Sequence, residues 1–280
     1  MSHEIIGRYV TVDGTRTYYE ECGEGIPLFC IHTAGACSIE YYHFLPEMAR
    51  RGFRAIAIDL PGHGKSYPVG WEPIRRMHTY AEFVWNAVKA ICGDEKPVIL
   101  GTSIGGNMTV DLACHHSPDM LAALALEGAG YTPTFPDLRI YEHPHAAPGW
   151  RDMMERAAIS SLYYPVSEEK VIETRWMHRY AAQEIAVADL ECWANHDVRD
   201  RLKDIVCPTM IFKGVADYYL PEHLLEATVA GIADGLSELV IADRMGHYPM
   251  FEQPEELAEI CCAFLQRHGV QIPTVASAAA

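Results

Sequence analysis

The stretch VILGTSIGGNMTVDLA, residues 98–113, decides how this chain is read. An apolar run ends in Gly101-Thr102-Ser103-Ile104-Gly105-Gly106 and passes into residues suited to a helix. This is either an ordinary strand-to-helix turn or a device that holds one hydroxyl strained and exposed. Gly101, Gly105 and Gly106 would permit the close chain approaches that a sharp turn forces. A serine hydroxyl is a poor nucleophile until a base takes its proton, and an imidazole base needs a carboxylate to fix its tautomer. The functional reading therefore requires a histidine and an acid elsewhere in the chain.

Outward from this turn the sequence alternates between strand and helix. GRYVTVDGTRTYYEE holds two β-rich runs around Asp13-Gly14, a hairpin signal. Short apolar runs follow at 26–32 and 54–62, with a helical stretch at 38–51 between them. Tyr80, Phe83, Val84, Ala87, Val88 and Ile91 recur at helical spacing over 79–92. Strands at 96–101 and 120–128 flank a helix at 104–116. The rhythm breaks over 131–205, rich in Tyr, Trp, His, Met and Pro, where helices are expected and Ser167 is suited to cap one. It resumes with strands at 207–214 and 237–243 and a last helix over 254–268, with Pro254 in its first turn. Such alternation predicts a mostly parallel, eight-stranded α/β sheet, with core segments 1–130 and 206–270 and a helical cap, 131–205, inserted after the sixth strand.

Both partners of Ser103 stand where this topology would deliver them. Asp217 follows the run 208–213 and His247 follows 237–242, each on a loop after a strand. Together with HTAGA at 32–36, DLPGHGKS at 59–66 and GTSIGG at 101–106, this sequence resembles the α/β-hydrolase superfamily over nearly its whole length. The resemblance implies Ser103 as nucleophile, His247 as base and Asp217 as its acid. It also implies an oxyanion hole built from the N–H groups of Ile104 and Ala34, in a loop where Thr33 replaces the more usual glycine. Glu127, at the end of the strand after the elbow helix, is a rival acid. Thr33, Glu127, Trp150, Trp176, Tyr180, Trp193 and Tyr248 are the candidates for lining the substrate pocket, although packing between cap helices accounts for many aromatic residues there. Asp59, His32 and His63 read as structural loop formers, and Cys37 as an inert thiol.

Composition excludes several functions. A net charge of −16, from 22 Lys and Arg against 38 Asp and Glu, disfavours a nucleic-acid partner. No run reaches the roughly 18 apolar residues of a membrane span, and no signal peptide is visible, so a cytoplasmic location is expected. The nine cysteines have no CxxC pairing and read as reduced thiols. His143-Pro-His145 and His115-His116 could suggest a metal, but the first pair sits in a Pro-rich stretch with no nearby Cys or carboxylate framework, and no metal and no cofactor is expected.

The leading expectation is a serine hydrolase acting on carboxylic esters, lactones or thioesters of a small to medium, partly apolar substrate, through an acyl-enzyme. A C–C bond hydrolase of the ring-cleavage-product type is the first alternative. Its members usually carry a tryptophan after the catalytic histidine, where this chain has Tyr248. A dehalogenase or epoxide hydrolase would carry an aspartate at position 103. A non-catalytic small-molecule binder on the same fold is the second alternative. Dimers are common in the superfamily, so a homodimer stays open.

Overall fold

The Asp13-Gly14 pair turns the chain back on itself. In the computed structural model, which describes residues 4–132 and 149–273, these two residues have φ of 47° and 78°, as a two-residue hairpin turn demands. The turn joins β1 (Ile6–Val12) to β2 (Thr15–Cys22), with Val12 opposite Thr15. β2 pairs antiparallel with β4 (Phe53–Ile58). From β4 onward every pairing is parallel, through β3 (Ile26–Ile31), β5 (Val98–Thr102), β6 (Ala122–Leu126), β7 (Thr209–Gly214) and β8 (Ser237–Ala242). The eight strands lie in the order β1-β2-β4-β3-β5-β6-β7-β8.

Alternate residues of the central strands feed two cores. Phe29, Ile31, Ile56, Ile58 and Ile99 pack beneath α2 (Met77–Cys92) and α3 (Ile104–His116). Leu28, Cys30, Ala55, Ala57 and Leu100 pack beneath α1 (Phe44–Arg50) and α9 (Pro254–Arg267). With helices on both faces the inner strands are apolar throughout, as in buried parallel sheets. α2 shows how the pattern makes the packing: Tyr80, Phe83, Val84, Ala87 and Val88 form its buried stripe. Each of the larger ones contributes about 1.5–3 kcal/mol by leaving water.

Between β6 and β7 the described residues form α4 (Trp150–Ser160), α5 (Glu168–Met177), α6 (Gln183–Ala194) and a 3-10 turn over Arg199–Asp204. This is where the helical insertion is expected. His143 and His145 lie outside the described residues. The Ser167 side chain accepts the Lys170 N–H at 3.3 Å and caps α5. The helix expected over 38–51 is instead a 3-10 turn at Ser38–Tyr41 followed by α1. Pro46 explains the late start, since it has no N–H and is tolerated only in a first turn. Two helices are additional: α7 (Glu222–Gly231) and the short α8 (Pro249–Glu252). None of the nine cysteines forms a disulfide, and eight are buried. Among the described residues no helix is long and apolar enough to cross a membrane.

The chain leaves β3 toward one edge of the sheet and then crosses to β5 on the other side. The loops after β3 and β5 therefore diverge at the carboxyl edge, the place where open α/β sheets bind ligands.

Candidate active site

Ser103 sits on the turn between β5 and α3 with φ 57° and ψ −118°. A non-glycine residue in this region is strained by about 1–3 kcal/mol, and the surroundings must hold it there. They do so through close backbone approaches. A Cβ on Gly105 would stand 2.3 Å from the Ile31 carbonyl oxygen, and one on Gly101 only 2.0 Å from the Gly105 carbonyl oxygen. The Ser103 N–H donates to Leu126 O at 2.9 Å, which ties the turn to β6. Ile104 follows in the first turn of α3, whose amides have no acceptor within the helix.

His247 and Asp217 meet across 30 residues of chain. The His247 Nδ1 lies 3.0 Å from Asp217 Oδ2, and both side chains are nearly fully buried. Asp217 Oδ1 accepts the Tyr219 N–H at 2.7 Å. The buried Lys213 ammonium donates to the carbonyls of Asp217 and Leu220 and holds their loop to β7. Burial works against the Asp217 charge, but His247, the Glu127 carboxyl and the Tyr219 N–H outweigh it and hold the carboxyl well below the usual range. The His247 loop has its own anchors. The His247 N–H donates to Ser161 O at 2.9 Å. Glu252 accepts from the backbone N–H groups of Gly246, Tyr248 and Tyr163.

Glu127 is the unusual member. It follows β6 with φ 46° and is fully buried. One carboxyl oxygen accepts the Gly214 N–H, while Oε2 has no hydrogen-bond partner among the described residues. The titratable atoms of Glu127, Asp217 and His247 all lie within 4.8 Å of one another. Burial, reinforced by the Asp217 charge, pushes the Glu127 pKa well above normal and favours the neutral form of this carboxyl.

The loop after β3 is equally determined. His32 Nδ1 donates to Thr33 O at 2.7 Å and Nε2 accepts the Leu60 N–H at 3.0 Å, so the ring is neutral and structural. Burial drives its pKa well below normal. Thr33 gives both its N–H, at 2.9 Å, and its hydroxyl to the fully buried Glu40 carboxyl. Gly35 donates its N–H to Asp189 of α6 at 2.9 Å, and the same Asp189 oxygen bonds His63 Nε2 at 2.8 Å. Asp59 accepts the N–H groups of Ser38 and Lys65, at 2.8 and 2.7 Å, and is a loop former as expected. Cys37 is buried, and burial raises its pKa strongly, as an inert thiol requires.

A pocket of about 280 Å³ opens at this edge. Ser103, His247, Ala34, Ile104, Thr33, Glu127, Trp150, Trp193 and Tyr248 all line it. Asp217 stands behind His247 and does not. Trp176 and Tyr180 do not line it either: both are half-exposed and border a separate groove with Tyr42, His43 and Phe251. Trp176 and Tyr180 sit at and just beyond the end of α5, whereas the pocket wall comes from α4 and α6. The sequence reading missed Met153, Met154, Ala157 and Ala158, which with Trp150 form one face of α4, and also Leu190, Tyr219 and Leu220. The helical spacing of 150, 153, 154, 157 and 158 was the available signal. Glu40 and Glu252 were also missed, because their role depends on loop geometry that no spacing encodes.

The sequence pattern of the Alpha/beta hydrolase family matches residues 28–260. The chain belongs to this family. Within it, the chain is 25% identical to a 2-hydroxy-6-oxo-6-(2'-aminophenyl)hexa-2,4-dienoic acid hydrolase of Metapseudomonas resinovorans, over 94% of this chain and 91% of that protein. Its fold is similar to the enol-lactonase from Burkholderia xenovorans LB400, with a TM-score of 0.81 at 16% identity, covering 92% of this chain and all of the other. It is also similar to a thermophilic esterase from Thermogutta terrifontis, with a TM-score of 0.80 at 22% identity, covering 94% and 99% of the two chains. This α/β hydrolase thus shares its fold with proteins that cleave different bonds, and the pocket must distinguish among them.

Proposed function

We propose that the protein is a serine hydrolase for neutral carboxylic esters or lactones with an apolar acyl part, working through Ser103, His247 and Asp217. The observation that carries this reading is the His247–Asp217 contact beside the strained Ser103, with serine and imidazole on the wall of one apolar pocket. With Nδ1 given to Asp217, His247 keeps Nε2 to take the Ser103 proton. Ser103 Oγ attacks the substrate carbonyl. The oxygen's developing charge is met by the N–H groups of Ala34 and Ile104, each such donor lowering the barrier by about 3–4 kcal/mol. His247 returns the proton to the leaving alcohol, then activates water to cleave the acyl-enzyme. Trp150, Met153, Met154 and Leu190 form the acyl wall, so helices α4–α6 serve as a cap that excludes water.

The choice of ester or lactone over a C–C bond rests on charge. The Metapseudomonas resinovorans relative is named for a dienoic acid, whose carboxylate calls for a cationic partner. No Arg or Lys is among the described residues that line this pocket. The C–C reading keeps the support of overall sequence likeness, and a substrate panel separates the two. A fluorophosphonate probe should label Ser103. Short p-nitrophenyl esters and simple lactones should turn over faster than a vinylogous 1,5-diketone acid. Preference for the diketone acid would reverse the assignment, and failure of the probe to label Ser103 would leave a binding protein.

A further inference from the structure

Outside the pocket, α2 and α3 bring three metal-ligating side chains to one surface recess. His78 stands in the first turn of α2, and Asp111 and His115 stand one turn apart on α3. The His78 Nδ1 is 2.8 Å from Asp111 Oδ1, and the His115 Nδ1 is 3.3 Å from the same oxygen. The two rings lie 4.2 Å apart, and one ligand atom from each of the three residues falls within a 4.8 Å set. None of the residues lining this recess lines the active-site pocket.

We propose that His78, Asp111 and His115 form a binding site for one transition-metal dication of the Zn²⁺ class, which clamps α2 to α3. Two imidazoles and a carboxylate are the ligand types that such ions select. Ligands at the usual bond lengths around a tetrahedral ion stand about 3.3 Å from one another, close to the present Asp111–His115 separation. His78 is half-exposed, so it can rotate to admit the ion and leave a position for water. The His115 Nδ1 now donates to the Asp111 carbonyl at 2.8 Å, and binding the ion through that atom exchanges this bond for the metal and moves the ring proton to Nε2.

The surroundings hold Asp111 ready. It is buried, with His78 Nδ1 2.8 Å from one carboxylate oxygen and His196 Nε2 3.6 Å from the other. His196 supplies the independent observation. Its Nδ1 accepts from the Asn107 amide at 3.1 Å, an orientation fixed because the Asn107 Oδ1 accepts the Ala129 N–H. Its proton therefore sits on Nε2, which is buried, has no hydrogen-bond partner among the described residues, and stands 3.6 Å from Asp111 Oδ2. An imidazole that restrains one carboxylate oxygen while the other meets the metal is the usual outer support of such sites. Arg75, Arg76 and Arg201 also line the recess; Arg75 pairs with Glu191 and Arg201 with Asp204, while Asp111 is the carboxylate that His78 and His115 face. The adjacent His116 is not a ligand: it stacks on Trp85 and pairs with Glu82.

The test is a Zn²⁺ titration of the full chain by calorimetry, with Co²⁺ absorption as a second readout of ligand number. The wild type should bind one equivalent more than His78→Ala/His115→Ala, or bind that equivalent at least about tenfold more tightly, and Zn²⁺ should raise its melting temperature but not the variant's. Ester hydrolysis should be unchanged in the variant. His78→Ala alone, at a half-exposed position that leaves the fold intact, should already weaken the site, whereas Asp111→Asn tests the carboxylate where it folds. Equal stoichiometry and affinity in wild type and double variant, or no Zn²⁺ uptake by the wild type at 100 μM, overturns the proposal.

Discussion

Replacing Glu40 by glutamine should change how stability responds to pH, and the size of the change follows from the structure. Glu40 is fully buried and accepts the Thr33 N–H at 2.9 Å. Burial pushes its pKa up, from 4.5 to about 7, although the two Thr33 bonds pull the other way. Between these values the folded protein keeps a proton that the unfolded chain has released. Stability from this group is therefore full below about pH 4.5 and is lost as pH rises through about 7. The difference corresponds to about 3 kcal/mol, undiscounted because no water screens the group. Glutamine copies the protonated acid: its carbonyl can accept the Thr33 N–H and its amide can donate to the Thr33 hydroxyl. Urea unfolding of both proteins at unit steps from pH 5 to 9 should give similar stabilities at pH 5, with the wild type falling about 3 kcal/mol behind Glu40→Gln by pH 8. A difference between the two that stays constant across this range would refute the assignment of a protonated Glu40.

Three further outcomes follow from the site. Ser103→Gly should abolish turnover yet stabilise the fold by about 1 kcal/mol, since glycine relieves the positive φ; thermal unfolding and an ester assay check both halves. Asp217→Asn should lower kcat by about 10⁴ by analogy with other triads, whereas Glu127→Gln, which keeps a neutral hydrogen-bonding group, should keep kcat within about tenfold; the reverse ranking in steady-state kinetics would make Glu127 the acid. Gly105→Ala places a methyl group 2.3 Å from the Ile31 carbonyl and should cost at least about 3 kcal/mol in denaturant unfolding, because backbone on both sides cannot yield.

The parallel sheet was legible because its strands are short apolar runs bounded by turns and its helices carry apolar stripes, as residues 79–92 show. The placing of Ser103, Asp217 and His247 on loops after strands, with His247 against Asp217, was legible through chain order, and the hairpin through Asp13-Gly14. Trp176 and Tyr180 were misassigned because aromatic composition says nothing about which face of a helix meets a cavity. Glu40 and Glu252 act through backbone N–H groups of neighbouring loops, contacts that side-chain patterning does not encode. The His78–Asp111 pairing joins residues 33 positions apart on two helices; reading His115 with its neighbour His116 could not reveal it.

Asp189 has a consequence for access to the pocket. One carboxylate on α6 is shared between the Gly35 amide, next to Ala34, and His63. Lifting α6 away from the sheet would break both bonds and release the strand of chain that presents the Ala34 amide. Admission of a bulky substrate by that route would displace the proposed oxyanion donor in the same movement, so traffic in and out should run past α4 and leave α6 as fixed masonry.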